Sequence, residues 1–340
     1  MQPAKSTIFD VAKRAGVSIK TVSRVVNREP NVRDATRQRV ELAVTELDYR
    51  PDQSARNLAS HRSHLIGLVY EDPSAYELPS SGYIINMQQG ALRACRAAMR
   101  ELLIHPCDLR RKDVTTELRS VINDARLSGV VLAAPLSNME RIVRAVKSTN
   151  TPFVRLSPGR RLRNQLCVVT NDRDAARQMT EYLASLGHRR IAFISGNADH
   201  AAVSNRVLGY EDAMQAAGRR VAKPVIAAGD NSFDSGLACA EQLLNRKRPP
   251  TAIFAANDDM AAGVIRMASR MGISVPQELS IAGFDDITLA RQMDPTLTTI
   301  RQPLASMAEH AVSMLTGNAD TYASVPASLK IRESTGPAPK

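Results

Sequence analysis

The spacing of apolar and polar residues changes near residue 64 of the 340-residue chain. Before that point, apolar residues recur at the three- and four-residue intervals of a helix rather than at the two-residue intervals of a strand. The first such set is Ile8, Val11, Ala12 and Ala15. Thr7 lies three residues before Asp10, which is the spacing of a helix capping box, and Gly16 predicts the end of this helix.

Two more short helices are predicted in the N-terminal segment. Ser18 can cap a second helix, whose inward residues are Val22, Val25 and Val26. A third helix is predicted from about Asp34 to Leu47. A helix, a glycine turn and a short helix form the arrangement that places a second helix in the DNA major groove. A small helical bundle that binds nothing fits the same pattern.

After residue 64, short apolar or β-branched runs alternate with helical segments. These runs are Leu65 to Tyr70, Leu102 to Pro106, Val130 to Ala133, Phe153 to Leu156, Val168 to Thr170, Ile191 to Ile194, Val225 to Ala228, Ala252 to Ala255 and Ser280 to Phe284. The alternation predicts parallel sheets covered by helices, and nine strands fit two sheets better than one. Two last strands, Thr298 to Ile300 and Leu329 to Arg332, are predicted around a helix from Leu304 to Leu315.

The chain is therefore expected to divide into four segments. They are an all-α head (1–51), a polar linker (52–63), an α/β body (64–335) and a tail (336–340). The body is expected to contain two subdomains that divide near residue 160, with a crossover near residues 290–300. The Pro/Gly-rich stretch after Glu333 is expected to fray.

Charge is concentrated in the N-terminal segment. Residues 1–62 hold 12 basic and 7 acidic residues, a net charge of +5, whereas the other 278 residues hold 33 and 27, a net charge of +6. The higher charge density predicts a polyanion as the partner of the head.

Several classes of protein are disfavoured by the composition. The cysteines lie at least twelve positions apart, so they form no paired zinc-ligand spacing and are expected to be buried free thiols; they are Cys95, Cys107, Cys167 and Cys239. The chain contains no apolar run of about 20 residues and no signal-peptide core. We therefore expect a cytoplasmic protein without a metal, a cofactor or a membrane partner.

Enzyme motifs are weak or missing. The sequence contains neither G-x-G-x-x-G nor a P-loop, so nucleotide phosphates have no backbone cradle. The pairs Asp258-Asp259 and Asp285-Asp286 are adjacent in sequence and point apart, unlike the facing carboxylates of a glycosidase. His188 is expected in a surface turn before a strand.

The N-terminal motifs resemble a known family. The runs TIFDVAKRAGVSIKTVSRVVN (7–27), TRQRV (36–40) and LDYRPDQSARNLAS (47–60) are similar to the signature of the LacI/GalR family of bacterial transcription repressors. The resemblance continues to about Glu333. It implies a lambda-repressor-like helix-turn-helix head and a periplasmic-binding-protein-like body of two Rossmann-like subdomains.

The resemblance also implies which residues contact DNA. Ile19 and Lys20 occupy the positions that set operator preference: Lys20 can donate to guanine and Ile19 can contact a thymine methyl group. Arg24 matches a further base-contacting position. The residues expected to bind phosphates are Thr7, Ser18, Thr21, Ser23 and Asn31. Helix capping is the alternative role of Thr7 and Ser18, and the two roles are compatible.

Residues 52–63 match a hinge helix that becomes ordered when two subunits meet on DNA. Ala55 lies in this segment, and Leu58 matches a leucine that wedges into the minor groove at the operator centre. Packing of Leu58 against the body is the alternative.

In the body, the family binds its effector in a cleft between the subdomains. Arg206, Asn257 and Asp285 match positions that contact effector hydroxyl groups, since one arginine, one amide and one carboxylate can bracket a polyol. An acidic turn is the alternative role of Asp285. Tyr83, Asn231 and Phe233 match more loosely: Asn231 stands where several members carry an aromatic ring, and the loop before Tyr83 is longer than usual.

The sequence thus predicts a homodimeric repressor of carbohydrate-utilisation genes, which binds a near-palindromic operator and responds to a small molecule, expected to be a sugar. A dimer rather than a tetramer is expected because no apolar heptads follow the last strand. A sugar-binding receptor without a DNA role is the main alternative, and a sugar-active enzyme is a third possibility.

Overall fold

A computed structural model describes residues 6–26, 32–49, 63–72, 82–159, 165–218 and 222–340. The chain forms two compact units, Met1–Ser63 and His64–Lys340. None of the described helices is long and apolar enough to cross a membrane. The four cysteines are free and buried, as predicted.

The first unit contains α1 (Ile8–Ala15), α2 (Ile19–Val26) and α3 (Asp34–Glu46). The predicted capping box is present: the amide of Asp10 donates to Thr7 Oγ1 at 3.4 Å, and the amide of Thr7 donates to Asp10 Oδ2 at 2.8 Å. Gly16 ends α1 with a φ of 63°, a left-handed conformation that suits glycine. The helical prediction for the head is confirmed.

A small apolar core holds these helices together. Its buried members are Val11, Ala12, Ala15, Val22, Val25, Val40 and Ala43. The Ser6 hydroxyl donates to the carbonyl of Leu47 at 2.8 Å and so ties the start of the unit to the end of α3. Because one face of α2 is used in this core, its opposite face is left to the solvent.

The second unit contains two six-stranded sheets within the described residues. The first sheet has the order β11-β5-β4-β3-β1-β2. Its strands are β1 (Leu65–Glu71), β2 (Glu101–Cys107), β3 (Gly129–Leu132), β4 (Phe153–Leu156), β5 (Cys167–Val169) and β11 (Tyr322–Ser324). The helices that follow β1, β2 and β3 are α4 (Gly82–Ala97), α5 (Val114–Asp124) and α6 (Glu140–Lys147).

The second sheet has the order β12-β10-β9-β8-β6-β7. Its strands are β6 (Ile191–Ser195), β7 (Val225–Ala228), β8 (Ala252–Ala255), β9 (Ser280–Asp285), β10 (Thr298–Arg301) and β12 (Ser328–Lys330). The remaining helices are α7 (Asp172–Ser185), α8 (Ala201–Ala217), α9 (Phe233–Leu244), α10 (Asp258–Arg270), α11 (Leu289–Gln292) and α12 (Leu304–Leu315). The described strands pair in parallel except β10 with β12. The expected fold class is confirmed.

The chain passes between the two halves later than the sequence suggested. Residues 167–169 pair with β4, with Leu156 opposite Val168, so the first passage follows β5 and lies at residues 170–171 rather than near 160. The chain returns after β10, at residues 302–303, and α12 then packs on the core of the first sheet. It passes to the second half again between β11 and β12.

His188 is buried, so the prediction of a surface turn is wrong. Its Nδ1 lies 3.0 Å from Thr251 Oγ1, and its Nε2 lies 2.9 Å from Ser280 Oγ and 3.1 Å from the carbonyl oxygen of Gly336. The residue does precede β6, but its ring inserts between the starts of neighbouring strands. Burial lowers the pKa of His188, which favours the neutral ring.

The C-terminal tail is bound to the body, so the expected fraying is wrong. Ser334 is fully buried, and its hydroxyl donates to the carbonyl of Ile281 at 2.6 Å. The amide of Ala338 donates to the carbonyl of Leu186 at 2.9 Å. Backbone and hydroxyl groups, rather than apolar side chains, hold this segment, and a hydrophobic pattern does not reveal such bonds.

Candidate functional site

The exposed face of α2 carries three of the side chains predicted to contact bases. Ile19 is 40% exposed, and Lys20 and Arg24 are exposed one turn apart. Val22 and Val25 lie on the other face and are buried in the head core. Packing therefore fixes the helix while an apolar side chain and two cationic side chains point outward.

The hydroxyl groups beside α2 serve as caps. The amide of Thr21 donates to Ser18 Oγ at 3.2 Å, and the two hydroxyl oxygens lie 2.9 Å apart. The Thr7 hydroxyl donates to Asp10 Oδ2 at 2.7 Å, a bond that lowers the pKa of Asp10. The capping roles of Thr7 and Ser18 are thus observed. Ser23, on α2, is partly buried.

Basic and hydroxyl side chains line a groove between α2 and α3. Its lining includes Thr21, Thr36, Arg24, Arg33 and Arg39. Hydroxyl and guanidinium donors are the groups that hydrogen-bond to phosphate oxygens. This groove therefore has the chemistry of a nucleic-acid backbone contact.

Phe9 is a candidate that the sequence analysis missed. Its side chain is 65% exposed, and it lines a shallow groove with Lys13, Gly16 and Ile19. The helical pattern of α1 could have identified Phe9 as exposed, because Phe9 lies on the polar side of the helix, away from the buried residues Val11, Ala12 and Ala15. An exposed aromatic ring beside Ile19 extends the apolar surface next to the base-reading positions.

Three predicted DNA contacts lie outside the described residues. They are Asn31, in the segment before α3, and Ala55 and Leu58, in the linker 52–63. Their roles stay predictions.

In the second unit, polar residues gather at the carboxyl-terminal ends of the strands in the second sheet. Asn231 follows β7, Asn257 follows β8 and Asp285 ends β9, while Arg206 projects from α8. Ligands of open α/β sheets bind at this edge. The structure thus brings together four of the residues that the sequence assigned to one cleft.

Arg206 is buried and is held on several sides. Its Nε donates to Asp172 Oδ1 at 2.9 Å, and its Nη1 donates to the carbonyl of Ala256 at 2.6 Å. Its guanidinium carbon lies 3.7 Å from the centre of the Phe284 ring, and its Nη1 lies 3.8 Å from Asp285 Oδ1. These contacts fix the orientation of the guanidinium group before any ligand arrives.

Asp285 combines a constrained backbone with a perturbed carboxyl group. Its φ of 120° lies outside the region that side-chain-bearing residues favour, and its carboxylate accepts a hydrogen bond from the Gln302 amide. Burial raises its pKa to about 7, while Arg206 opposes the shift. The neighbouring Asp259 is also affected by burial, which raises its pKa to about 6.

The side chain of Asn257 is used within the protein. Its Oδ1 accepts from the amide of Met260 at 2.9 Å and caps α10, and its Nδ2 donates to the carbonyl of Asn231 at 2.8 Å. Asn257 therefore holds the loop of Asn231, whose φ is 78°. Phe233 begins α9 next to this loop and is 40% exposed.

The first half contributes Tyr83, at the start of α4. Burial raises the pKa of Tyr83, and the nearby carboxylates of Asp285 and Asp172 raise it further. Tyr83 packs against the apolar core of the first sheet and lies within electrostatic range of the polar cluster of the second half. Gly82 allows this approach, because a Cβ atom there would lie 2.7 Å from the Cβ of Ile287.

Sequence analysis also missed partners of the predicted cleft residues. Asp172 balances the charge of Arg206, Gln302 binds Asp285, and Asp259 lies on the first turn of α10. Asp172 follows β5 and Asp259 follows β8, so their positions after strands were an available signal. Gln302 offered none, because its pairing joins residues 17 positions apart.

Two stretches of the chain match known families. Residues 7–52 match the family described as bacterial regulatory proteins, lacI family, and residues 180–335 match the periplasmic binding protein-like domain. The first match covers the helices of the head. The second covers much of the second sheet with its helices.

The similarity to individual proteins extends over nearly the whole chain. Catabolite control protein A from Priestia megaterium is 33% identical over 97% of this chain and 99% of the relative. The solved lac repressor dimer, bound to operator and the anti-inducer ONPF, has a TM-score of 0.77 and 26% identity over 98% of this chain and 100% of that chain. The complex of the transcriptional regulator CelR with cellobiose has a TM-score of 0.73 and 28% identity over 97% and 100%. The chain belongs to the LacI/GalR family of bacterial transcriptional regulators.

Proposed function

We propose that this regulator binds a near-palindromic operator as a homodimer, represses carbohydrate-utilisation genes and responds to a sugar bound in the cleft of the body. The observation that carries the proposal is the exposed face of α2, which presents Ile19, Lys20 and Arg24 beside a groove of phosphate-binding chemistry. A sugar receptor without a DNA role would have no use for this face. Because its target is the genome, we propose that it acts in the cytoplasm.

On DNA, we assign different tasks to the two kinds of side chain. Lys20 and Arg24 donate to guanine acceptors in the major groove, and Ile19 contacts a thymine methyl group. Phe9 adds to the apolar contact. The capping hydroxyl groups of Thr7 and Ser18 and the arginines of the neighbouring groove bind phosphates. These contacts fix the position of the head along the duplex. Two heads bound to two half-sites reach affinities of about 10⁻⁸ to 10⁻¹¹ M.

In the cleft, we assign the effector to the space between Tyr83 and the cluster around Arg206. Asp259 and Asp285 offer acceptors for hydroxyl groups, Arg206 offers a fixed set of donors, and Phe233 offers an apolar ring. A neutral polyhydroxylated ligand matches this set. The cellobiose complex of the related CelR supports a sugar as the ligand class.

Effector binding would act by favouring one arrangement of the two halves. A ligand can shift a two-state equilibrium only through its difference in affinity for the two states. To change an operator from mostly occupied to mostly free, that difference must be about 5.5 kcal/mol.

The test has two stages. Selection of bound duplexes from a randomised DNA pool should recover an inverted repeat, which fluorescence anisotropy should show to bind more tightly than a scrambled duplex. A thermal-shift screen of mono- and disaccharides should then find a ligand that changes operator affinity. Equal affinity for the selected and scrambled duplexes, with and without every sugar, would reject the proposal.

A further inference from the structure

Exposed basic side chains lie at the amino-terminal ends of three strands of the second sheet, at the edge opposite to the cleft. They precede β6, β7 and β8 and are all exposed; they are Arg189, Arg190, Lys223, Arg246, Lys247 and Arg248. The three strands are adjacent and parallel in the order β8-β6-β7, so their starts share one edge. We call this set of six residues the basic edge.

Hydrogen bonds join the segments that carry the basic edge. The amide of Ala222 donates to the carbonyl of Arg189 at 2.6 Å, and the amide of Thr251 donates to the carbonyl of Arg190 at 2.9 Å. The Arg190 Nε donates to the carbonyl of Pro249 at 2.7 Å. The three segments therefore form one continuous surface rather than separate loops.

The segments that carry the basic edge supply no negative side chain of their own. Residues 186–191, 222–225 and 245–252 contain no aspartate or glutamate. In the part of the chain that the structure describes, no ion pair involves any of the six residues, whereas buried Asp286 pairs with Arg291, Arg301 and Arg332. The carboxyl end of α9 precedes Arg246 and offers only about half an elementary charge. Six cations exceed what this helix end can stabilise.

The chemistry of the surface favours one kind of polyanion. Arginine presents a planar fork of donors that matches phosphate. Within these three segments no large apolar side chain is exposed, and Ile226, 41% exposed, lies one residue beyond the second segment. The segments themselves therefore lack the apolar or aromatic anchors of a protein interface. They also lack the rings on which unpaired bases would stack. Backbone phosphates of a duplex fit this composition best.

We propose that the basic edge binds the phosphate backbone of duplex DNA, without reading its sequence and independently of the helical head. A chain with two such DNA-binding surfaces can hold an operator with the head and a second duplex with the body. This inference goes beyond operator recognition, because it assigns a DNA contact to the effector-binding unit.

The first test uses the salt dependence of binding to a non-operator duplex. Each phosphate contact contributes about 0.9 to the slope of log K against log salt concentration. The test variant carries Arg246→Gln, Lys247→Gln and Arg248→Gln. The matched control removes the same formal charge from the exposed face of α6 and carries Arg141→Gln, Arg144→Gln and Lys147→Gln. Thermal unfolding of both variants checks that the fold is kept.

We expect the slope to become shallower by up to about 2.7 in the test variant, which corresponds to three lost contacts. The control should keep the wild-type slope. Equal changes of slope in both variants would mean that the effect comes from the overall charge of the protein. No change of slope in either variant would mean that the basic edge does not contact DNA. Both results overturn the proposal.

The second test asks whether the surface works while the heads are occupied. A short operator duplex without flanking DNA is immobilised and saturated with full-length protein, and a labelled non-operator duplex is added at low salt. Wild-type and control proteins should retain the label, and the test variant should retain several-fold less. Equal retention by the test variant and the wild type would overturn the proposal.

Two further measurements complete the experiment. One distinguishes an acidic protein partner from DNA, and the other detects a failure of operator binding. If labelled poly-glutamate is retained and the labelled duplex is not, the surface binds acidic protein and the assignment to DNA is wrong. If the protein is not captured by the immobilised operator at all, operator recognition itself has failed. The salt-slope test does not require an operator and still decides the role of the basic edge.

Discussion

Arg206 shows how a residue predicted to bind a ligand also stabilises the protein. Its guanidinium group and Asp172 are both buried and form a hydrogen-bonded ion pair of 2.9 Å. Removal of one partner of such a pair leaves the other charge buried without compensation. A mutation that tests ligand binding therefore disturbs the fold as well.

For this reason, Arg206→Ala should lower the free energy of unfolding by about 3–5 kcal/mol, because Asp172 is left alone. The double variant Arg206→Ala/Asp172→Asn should recover part of that loss while remaining unresponsive to the effector. Urea unfolding and operator binding, each with and without ligand, measure the two effects separately. An Arg206→Ala variant as stable as the wild type would contradict the role of the pair.

Asp259 gives a prediction about pH. Burial raises its folded-state pKa to about 6, above the unfolded value of about 3.9. The folded state therefore holds this proton more tightly, and the stabilisation that results is complete below pH 3.9 and lost as the pH rises through 6. We expect Asp259→Asn to be more stable than the wild type at pH 8, with the difference shrinking toward pH 4. Urea unfolding at several pH values tests this, and a difference that does not change with pH would argue against it.

Phe9 gives a prediction about base recognition. Phe9→Ala should weaken operator binding about fourfold for each methyl group that loses its contact, or ~0.8 kcal/mol. Replacement of thymine by uracil in the operator should have the same effect on the wild type and little effect on the variant. The matched control is Leu42→Ala, since Leu42 is 61% exposed on α3 and does not line the groove of Phe9. A variant that still distinguishes thymine from uracil as the wild type does would remove Phe9 from the contact.

At the scale of elements, α2 acts as one unit whose position is set by its buried valines. Arg24→Ala should cost roughly 1–3 kcal/mol of operator binding and relax the preference at one base pair. Arg14→Ala is a useful comparison, because Arg14 is exposed on α1 and pairs with Glu46 at 2.7 Å. Binding assays with single-base operator variants should show altered preference only for Arg24→Ala.

Most elements were predictable because periodicity reports burial. The runs Phe153 to Leu156 and Ala252 to Ala255 became strands with the predicted bounds, and the helix from Leu304 to Leu315 also has the predicted bounds. Tyr322–Ser324 escaped prediction, since a three-residue edge strand is too short to show a period. His188 escaped for another reason: its burial depends on hydroxyl partners from distant segments.

The candidate site likewise contains residues that the sequence could assign and roles that only the structure shows. Asn257 and Asp285 could be assigned from the sequence because each lies at the end of a strand, whereas Arg206, within α8, was assigned from the family motif alone. The dual use of Asn257, as a helix cap and as a clamp on Asn231, required the structure. The linker 52–63 lies almost wholly outside the described residues, so the proposed wedge of Leu58 stays a prediction.

At the scale of the whole molecule, the charge of the cleft restricts the effector. Among the described residues of the cleft, several carboxyl groups surround Arg206, which is already paired with Asp172. Once the screen has identified a sugar, its uronic acid counterpart should bind at least tenfold more weakly, because the arginine that the structure places in the cleft is already paired and cannot receive the added charge. Isothermal titration of the matched pair measures this, and tighter binding of the acid would contradict it.

The repeated passage of the chain between the two halves of the body has a mechanical consequence. Within the described residues, three separate linkers, at 170–171, 302–303 and 325–327, connect the same two halves of the body. A single linker would let the two halves rotate in any direction. Several covalent linkers restrain twisting and sliding, so that opening and closing of the cleft is the movement that remains. Ligand binding in the cleft is thereby converted into a single kind of movement, the opening or closing of the two halves. Proteolytic cleavage of any one linker would still leave the two halves covalently joined.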